Sequence, residues 1–110
     1  MKLAIIGSRS LVNVKLNDYI PLGITEIVSG GAKGIDTLAA TYAKENGLLL
    51  TLFLPDYTHY GKGAPLKRNE QIAEYADEAL IFWDGKSRGT AYTLSCFSRL
   101  NKKYTLIRIE

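Results

Sequence analysis

Short, almost wholly apolar segments alternate along the chain with longer segments in which apolar residues recur every three or four positions. The first kind is typical of strands buried on both faces of a sheet, and the second places apolar side chains along one face of a helix. Five strands are therefore predicted, at residues 2–6, 26–29, 48–54, 79–83 and 105–109. The last of these, TLIRI, alternates in polarity and is expected at a sheet edge.

Four helices are predicted between the strands. The best defined begins at Ile35, directly after a glycine-rich loop, and ends at Asn46-Gly47, a typical C-terminal stop. Apolar stripes at helical spacing predict further helices over 12–20, 66–76 and 90–101.

This alternation of strands and helices favours an α/β fold. Parallel neighbours need crossover connections, which the helices provide, so we expect one domain over residues 1–110 with a mainly parallel five-stranded sheet and helices on both faces. In such sheets ligands bind beyond the carboxyl ends of the strands, where the strand order reverses. The loops of interest are therefore residues 7–10, 29–34, 56–69 and 84–90.

Composition and charge narrow the classes of function. The 110 residues contain no apolar run of membrane-spanning length and no charged-then-apolar leader, so we expect a cytoplasmic protein without a membrane partner. The only cysteine, Cys96, has no Cys or His at metal-ligand spacing, and no metal is expected. The net charge of +3 comes from scattered basic residues, which suits a small anionic ligand better than a nucleic acid.

The glycines of SGGAKG, at residues 29–34, have two interpretations. Glycine allows a strand to turn sharply into a helix, and a glycine loop at a helix N-terminus also presents main-chain N–H groups to an anion. The segment matches neither the dinucleotide-binding fingerprint nor the Walker loop. Both interpretations therefore stay open from the sequence.

A second loop, GKSRGT at 85–90, has the features of a phosphate cradle. It offers main-chain N–H groups, the hydroxyls of Ser87 and Thr90, and the positive end of the helix that follows. We expect Arg9 and Arg68 to reach the same rim, since a guanidinium binds phosphate through two parallel hydrogen bonds.

Several motifs in a fixed order resemble a known family. In chain order they are Gly7-Ser8-Arg9, SGGAKGID at 29–36, Tyr60-Gly61-Lys62, Arg68-Asn69, Ala76-Asp77 and FWDGKSRGT at 82–90. With them the chain resembles the YspA-related branch of the SLOG superfamily, which also contains the Smf/DprA DNA-uptake proteins and the Lonely Guy phosphoribohydrolases. The resemblance implies a Rossmann-like, doubly wound domain of strand order 3-2-1-4-5 that binds a nucleotide or a nucleotide-derived ligand.

The chain departs from the Lonely Guy enzymes at one position. Their loop G-G-x-G-T-x-x-E ends in a Glu that serves N-glycosidic cleavage together with an Arg on a preceding helix. Here Thr93 stands at the position of that Glu, whereas Arg68 can match the Arg. Loss of an acid–base group costs about two to four decades of rate, and the other candidates, Asp36 and Asp84, do not sit at the family's position.

Charge also suggests where the parts of the ligand lie. Asp36, in the first turn of its helix, would repel a phosphate but can bind ribose hydroxyls, unless it only caps the helix. We therefore expect the phosphate near Gly89-Thr90 and the sugar near Asp36. Tyr57 and Tyr60 either stack on a base or cover a core edge or a subunit contact.

The sequence thus predicts a nucleotide-binding module, such as a ligand sensor, without efficient catalysis, cofactor, metal or nucleic-acid partner. The alternatives are a Lonely Guy-like phosphoribohydrolase lacking the family's Glu and a single-stranded DNA-binding protein of the Smf/DprA type. Exposed edges of the small sheet predict a homo-oligomer. The predicted ligand-binding residues are Gly7, Ser8, Arg9, Gly30, Gly31, Ala32, Gly34, Asp36, Arg68, Asn69, Asp84, Gly85, Ser87, Arg88, Gly89 and Thr90.

Overall fold

Five parallel strands form one sheet in the residues that the computed structural model describes, which are 1–8, 14–31 and 34–109. The strands are β1 (Lys2–Gly7), β2 (Glu26–Ser29), β3 (Leu49–Leu52), β4 (Glu78–Trp83) and β5 (Lys103–Arg108). Their order across the sheet is β3-β2-β1-β4-β5, and all neighbouring pairs are parallel. The predicted α/β architecture and strand order are confirmed.

Helices cover both faces of the sheet. They are α1 (Ile35–Glu45), α2 (Tyr57–Tyr60), α3 (Ala64–Tyr75) and α4 (Arg88–Arg99). None of the helices in the described segments has the length and apolar character that a membrane crossing requires. On one face α1 packs against Leu3 and Ile5 of β1, and on the other α3 and α4 pack against Ala4 and Ile6. Successive residues of a strand point to opposite faces, so β1 is buried on both, as its apolar sequence predicted.

The helix predicted over 12–20 is wrong in the part that the structure describes. Residues 14–20 contain one turn of 3-10 helix, Leu16–Asp18, and no α-helix. The Tyr19 ring packs edge-on against Phe82 with 5.2 Å between ring centroids, so this segment reaches the core without an α-helix. Its Asn and Asp residues favour turns over helix interiors, which the apolar spacing alone did not reveal.

β3 lies at one edge of the sheet and is more exposed than its apolar sequence predicted. Leu49, Leu50 and Leu52 leave 68%, 38% and 46% of their surface accessible. The strand has a neighbour, β2, on one side only, and an apolar run does not by itself distinguish an edge strand from a central one. β5 forms the opposite edge, as its alternating sequence predicted.

A short helix that the sequence did not predict lies in the connection between β3 and α3. The Asp56 side chain caps α2 by accepting a hydrogen bond from the His59 N–H, and it also pairs with the His59 ring at 2.7 Å. An Asp directly before a helical turn is a common start signal, so this element was within reach of sequence reasoning.

Candidate functional site

A cavity of about 460 Å³ opens at the carboxyl ends of β1 and β4, the neighbouring strands at which the strand order reverses. The end of β2 and residues of α1, α3 and α4 complete its wall. Among the predicted ligand-binding residues, those lining the cavity are Gly7, Ser8, Gly30, Asp36, Arg68, Asn69, Asp84, Ser87, Gly89 and Thr90. Residues from distant parts of the sequence thus surround one space.

Ser8, the residue after β1, connects β1 to the end of β4 by two hydrogen bonds at the floor of the cavity. The Ser8 N–H donates to the Phe82 carbonyl at 3.2 Å, and the Ser8 hydroxyl accepts from the Asp84 N–H at 3.3 Å. Ser8 is almost fully buried. Its position therefore fixes where the loop after β4 leaves the sheet.

The loop between β4 and α4 is shaped by the Asp84 carboxylate. One of its oxygens accepts from the Lys86 N–H at 2.8 Å and from the Ser87 N–H at 2.9 Å. These two bonds lower the pKa of the Asp84 carboxyl below its ordinary value, and the bond from the Lys86 N–H has the larger effect. At the other side of the loop the Trp83 indole N–H donates to the Ser87 carbonyl at 3.0 Å. Asp84 is therefore an ionised acceptor that holds the loop in place.

The first turn of α4 places hydrogen-bond donor groups at the cavity. Ser87 is the N-cap, and its hydroxyl oxygen accepts from the Thr90 N–H and from the Thr90 hydroxyl, at 3.5 and 3.2 Å. Within the described segments, no acceptor is bonded to the main-chain N–H groups of Arg88 and Gly89. Unbonded N–H groups at the positive end of a helix favour an anion at this position.

A chain of hydrogen bonds connects β2, α3 and α4 across the cavity. Arg68 donates to the Gly30 carbonyl and to the Asn69 side-chain oxygen, both at 2.8 Å, and Asn69 donates to the Gly89 carbonyl at 3.4 Å. A Cβ atom at Gly30 would lie only 2.5 Å from an Arg68 terminal nitrogen. The absence of a side chain at Gly30 therefore allows the guanidinium to lie against the end of β2.

The glycines of the loop after β2 differ in conformation and in their position relative to the cavity. Gly31 and Gly34 have φ angles of 72° and 77°, in the region that favours glycine, and neither lines the cavity. Gly30 lines it. Asp36, which follows in the first turn of α1, is largely buried and also lines it, so the wall carries a carboxyl group on this side.

Some predicted residues do not take the position expected of them. Gly31, Gly34, Gly85 and Arg88 are absent from the cavity wall, and Arg9 and Ala32 lie outside the described residues. Gly85 has a φ of 81°, and a Cβ there would lie 2.6 Å from the Arg108 guanidinium, so its role is in the turn. The exposed side chains of Tyr57 and Tyr60 do not line the cavity either.

Sequence reasoning missed an apolar part of the wall, formed by Pro65, Leu66 and Ile72 of α3 together with Ile6. A usable signal existed, because residues four before and three after Asn69 share its face of the helix. With Asn69 predicted at the site, this spacing would have indicated Pro65 and Ile72 as well.

Thr93, at the position of the Lonely Guy Glu, also lines the cavity. Its hydroxyl donates to the Gly89 carbonyl of its own helix at 2.9 Å, and the residue is fully buried. The two carboxylates of the wall, Asp36 and Asp84, belong to other elements. In the described segments no three or more His, Cys, Asp or Glu side chains come together as metal ligands would.

Comparison with known proteins agrees with the resemblance seen in the motifs. The family model described as YspA, cpYpsA-related SLOG family matches residues 3–60, more than half of the chain. The match includes most of β1, the glycine loop and α1, and it ends before Arg68 and the first turn of α4. No curated protein and no solved structure gave a match.

Proposed function

The chain belongs to the YspA, cpYpsA-related SLOG family, and on this premise we propose that it binds a nucleotide or a nucleotide-derived molecule in the cavity at the ends of β1 and β4. The observation that supports this most is the shared wall of that cavity, which brings together Ser8 after β1, Arg68 of α3, and Ser87, Gly89 and Thr90 at the start of α4. Its volume of about 460 Å³ lies within the range of small-molecule sites, about 300–1,000 Å³.

In this proposal the phosphate binds at the first turn of α4. The N–H of Gly89 and the hydroxyl of Ser87 supply hydrogen bonds, the Thr90 hydroxyl holds that of Ser87 in place by donating to it, and Arg68 contributes positive charge. A phosphate gains less beside the Asp36 carboxyl, which repels an anion when it is ionised. We therefore assign the sugar to the neighbourhood of Asp36 and an apolar part of the ligand to Pro65 and Leu66.

The proposed role is binding, as in a ligand sensor, without efficient catalysis. N-glycosidic cleavage needs a group that transfers a proton at the scissile bond, and Thr93 carries a hydroxyl already bonded to Gly89. The lowered pKa of the Asp84 carboxyl keeps it ionised and makes it a poor proton donor. If the protein released free base from nucleoside monophosphates above a buffer control, this proposal would be wrong and the alternative function, a phosphoribohydrolase, would be supported.

A thermal-shift screen of nucleotides, repeated on two variants of Gly89, tests the proposal. A ligand at a hundred times its Kd stabilises the folded state by about 2.7 kcal/mol, which is readily measured. Gly89→Asp places a carboxylate beside the proposed phosphate, whereas Gly89→Asn adds a neutral side chain of the same size. A Cβ at Gly89 meets only the Asn69 amide nitrogen, at 3.9 Å, so the backbone accepts both changes.

We expect a nucleotide to raise the melting temperature of the parent and of Gly89→Asn, and to have little effect on Gly89→Asp. Without ligand Gly89→Asp should be at least as stable as the parent, because an acidic residue in the first turn of a helix is favourable. The proposal is wrong if no nucleotide stabilises the parent, or if the two variants respond equally to the nucleotide that does.

A further inference from the structure

The two edges of the sheet differ in charge. β5 carries Lys103 and Arg108, whereas the segment LLLTLFL at 48–54, which contains β3, has no charged residue and no proline. Proteins normally protect an edge strand from pairing with another chain by charges, prolines or bulges. β3 has none of these sequence features, so its edge is open to pairing.

The main chain of β3 presents hydrogen-bonding groups to the outside. On the side of β2, the Leu49 N–H donates to the Thr25 carbonyl at 3.4 Å and the Phe53 N–H donates to the Ser29 carbonyl at 2.9 Å. Because alternate residues of a strand direct their main-chain groups to the same side, the N–H and C=O groups of Leu50 and Leu52 point away from β2. No described strand lies on that side.

The side chains of this edge are apolar on both faces of the sheet. Leu50 is in register with Ile27 of β2, which packs with α1, so Leu50 and Leu52 point to the face covered by α1 and Leu49 points to the other face. Leu54, just after the strand, is 63% exposed. Exposed apolar side chains grouped at one edge of a small domain indicate an interface.

We propose that β3 pairs antiparallel with β3 of a second copy of this chain, about a two-fold axis at Thr51. The segment 48–54 is apolar at matching distances on either side of Thr51. Antiparallel pairing therefore sets Leu50 opposite Leu52 of the second copy and Leu49 opposite Phe53, with no charge facing a charge. The outward groups of Leu50 and Leu52 then form hydrogen-bonded pairs, which join the two sheets into one of ten strands.

The two-fold symmetry closes the assembly at two copies. Both chains use the same edge, so no second open edge of this kind remains to continue a filament. The cavity at β1 and β4 includes no residue of β3 and stays accessible in the dimer. The dimer is therefore independent of the proposed ligand, and each proposal can fail without the other.

Leu52→Pro tests the pairing at the main chain, with Leu106→Pro as its matched control. Proline at position 52 removes an N–H that points outward, so the bonds between β2 and β3 remain. On β5 the Ile109 N–H donates to the Trp83 carbonyl of β4, so the main-chain groups of Leu106, three residues earlier, point away from β4. The Leu106 side chain is 42% exposed, close to the 46% of Leu52. Both variants thus carry the same change at opposite edges.

We expect sedimentation and light scattering to give the parent and Leu106→Pro twice the chain mass of 12.2 kDa, and Leu52→Pro the mass of one chain with an unchanged circular dichroism spectrum. Should Leu52→Pro fail to fold, Leu52→Lys and Leu106→Lys provide the same comparison. Hydrogen exchange of the Leu50 and Leu52 amides in the parent should become faster on dilution.

Three results would overturn this proposal. The first is a parent of single-chain mass at all concentrations, and the second is a dimer that persists in the folded Leu52 variants. The third is a dimer in which the Leu50 and Leu52 amides exchange at unprotected rates, because then some other surface joins the copies.

Discussion

At the scale of single residues, the contact between Gly7 and Ile35 determines how closely α1 approaches β1. A Cβ atom at Gly7 would lie 2.3 Å from Ile35 Cγ1 and 2.6 Å from its Cβ, and Ile35 is fully buried. We expect Gly7→Ala to destabilise the protein by about 1–3 kcal/mol through overpacking. The measurement is the denaturation midpoint in urea, with the slope of the transition compared to detect a change in compactness.

Gly63→Ala is the matched control for this change. No atom lies within 4 Å of a Cβ built at Gly63, and its φ of −83° suits any residue. The same substitution should therefore be neutral or slightly stabilising there. Equal midpoints for the two variants would show that α1 and β1 are not in the close contact described.

The residues of the site were predictable to the extent that their chemistry was local. Ser87 and Gly89 were predicted at the site because a hydroxyl and a glycine before a helix start form a recognisable anion-binding pattern, although α4 begins at Arg88, two residues earlier than predicted. The separate roles of Gly30 and Gly34 do not, since one depends on the approach of Arg68 from α3 and the other on a φ of 77°. The first depends on tertiary structure and the second on backbone conformation, and neither can be predicted from the glycine-rich sequence alone.

At the scale of elements, α3 is held at its C-terminus by a side chain from the connection between α4 and β5. The Lys102 ammonium donates to the carbonyls of Ala73, Glu74 and Ala76 at 2.7, 2.7 and 2.8 Å. These carbonyls lie at the negative end of the helix, where a cation is favourable. Lys102 thus satisfies groups that would otherwise lack partners.

We expect Lys102→Met to lower the unfolding free energy by about 2 kcal/mol, the size typical of hydrogen bonds to a charged group. Methionine keeps the length of the side chain and removes the donors. Hydrogen exchange in the last turn of α3 should become faster. The control is Lys103→Met at the exposed neighbouring position, and an equally large loss there would refute the capping role.

The elements were predicted best where packing and pattern agree. β1 and β4 have continuous apolar sequences because both faces of each strand are covered. α1 has a single apolar stripe because only one face of the helix is covered. β3 has a sequence of the same kind, yet its leucines are exposed. The difference comes from its position at the edge, which depends on strand order and not on the residues of the strand.

At the scale of the whole molecule, carboxylates at both ends of the sheet couple stability to pH. Hydrogen bonds from Tyr75 and, second, from Thr51 lower the pKa of the Glu26 carboxyl below 4.5. The Lys2 N–H does the same for Asp77, and the loop amides do so for Asp84. Each group therefore binds a proton more weakly in the folded chain than in the unfolded one.

A lowered pKa in the folded state stabilises the protein above the unfolded value and ceases to do so as the pH falls through the folded value. We therefore expect the unfolding free energy to decline as the pH drops below 4.5, the ordinary value for Glu26, and further below 3.8, that for Asp77 and Asp84. Glu26→Gln keeps an oxygen that accepts from Tyr75 and removes the titration, so its decline should be shallower. Urea midpoints across this pH range measure both proteins, and parallel curves would mean that Glu26 has the same proton affinity folded and unfolded.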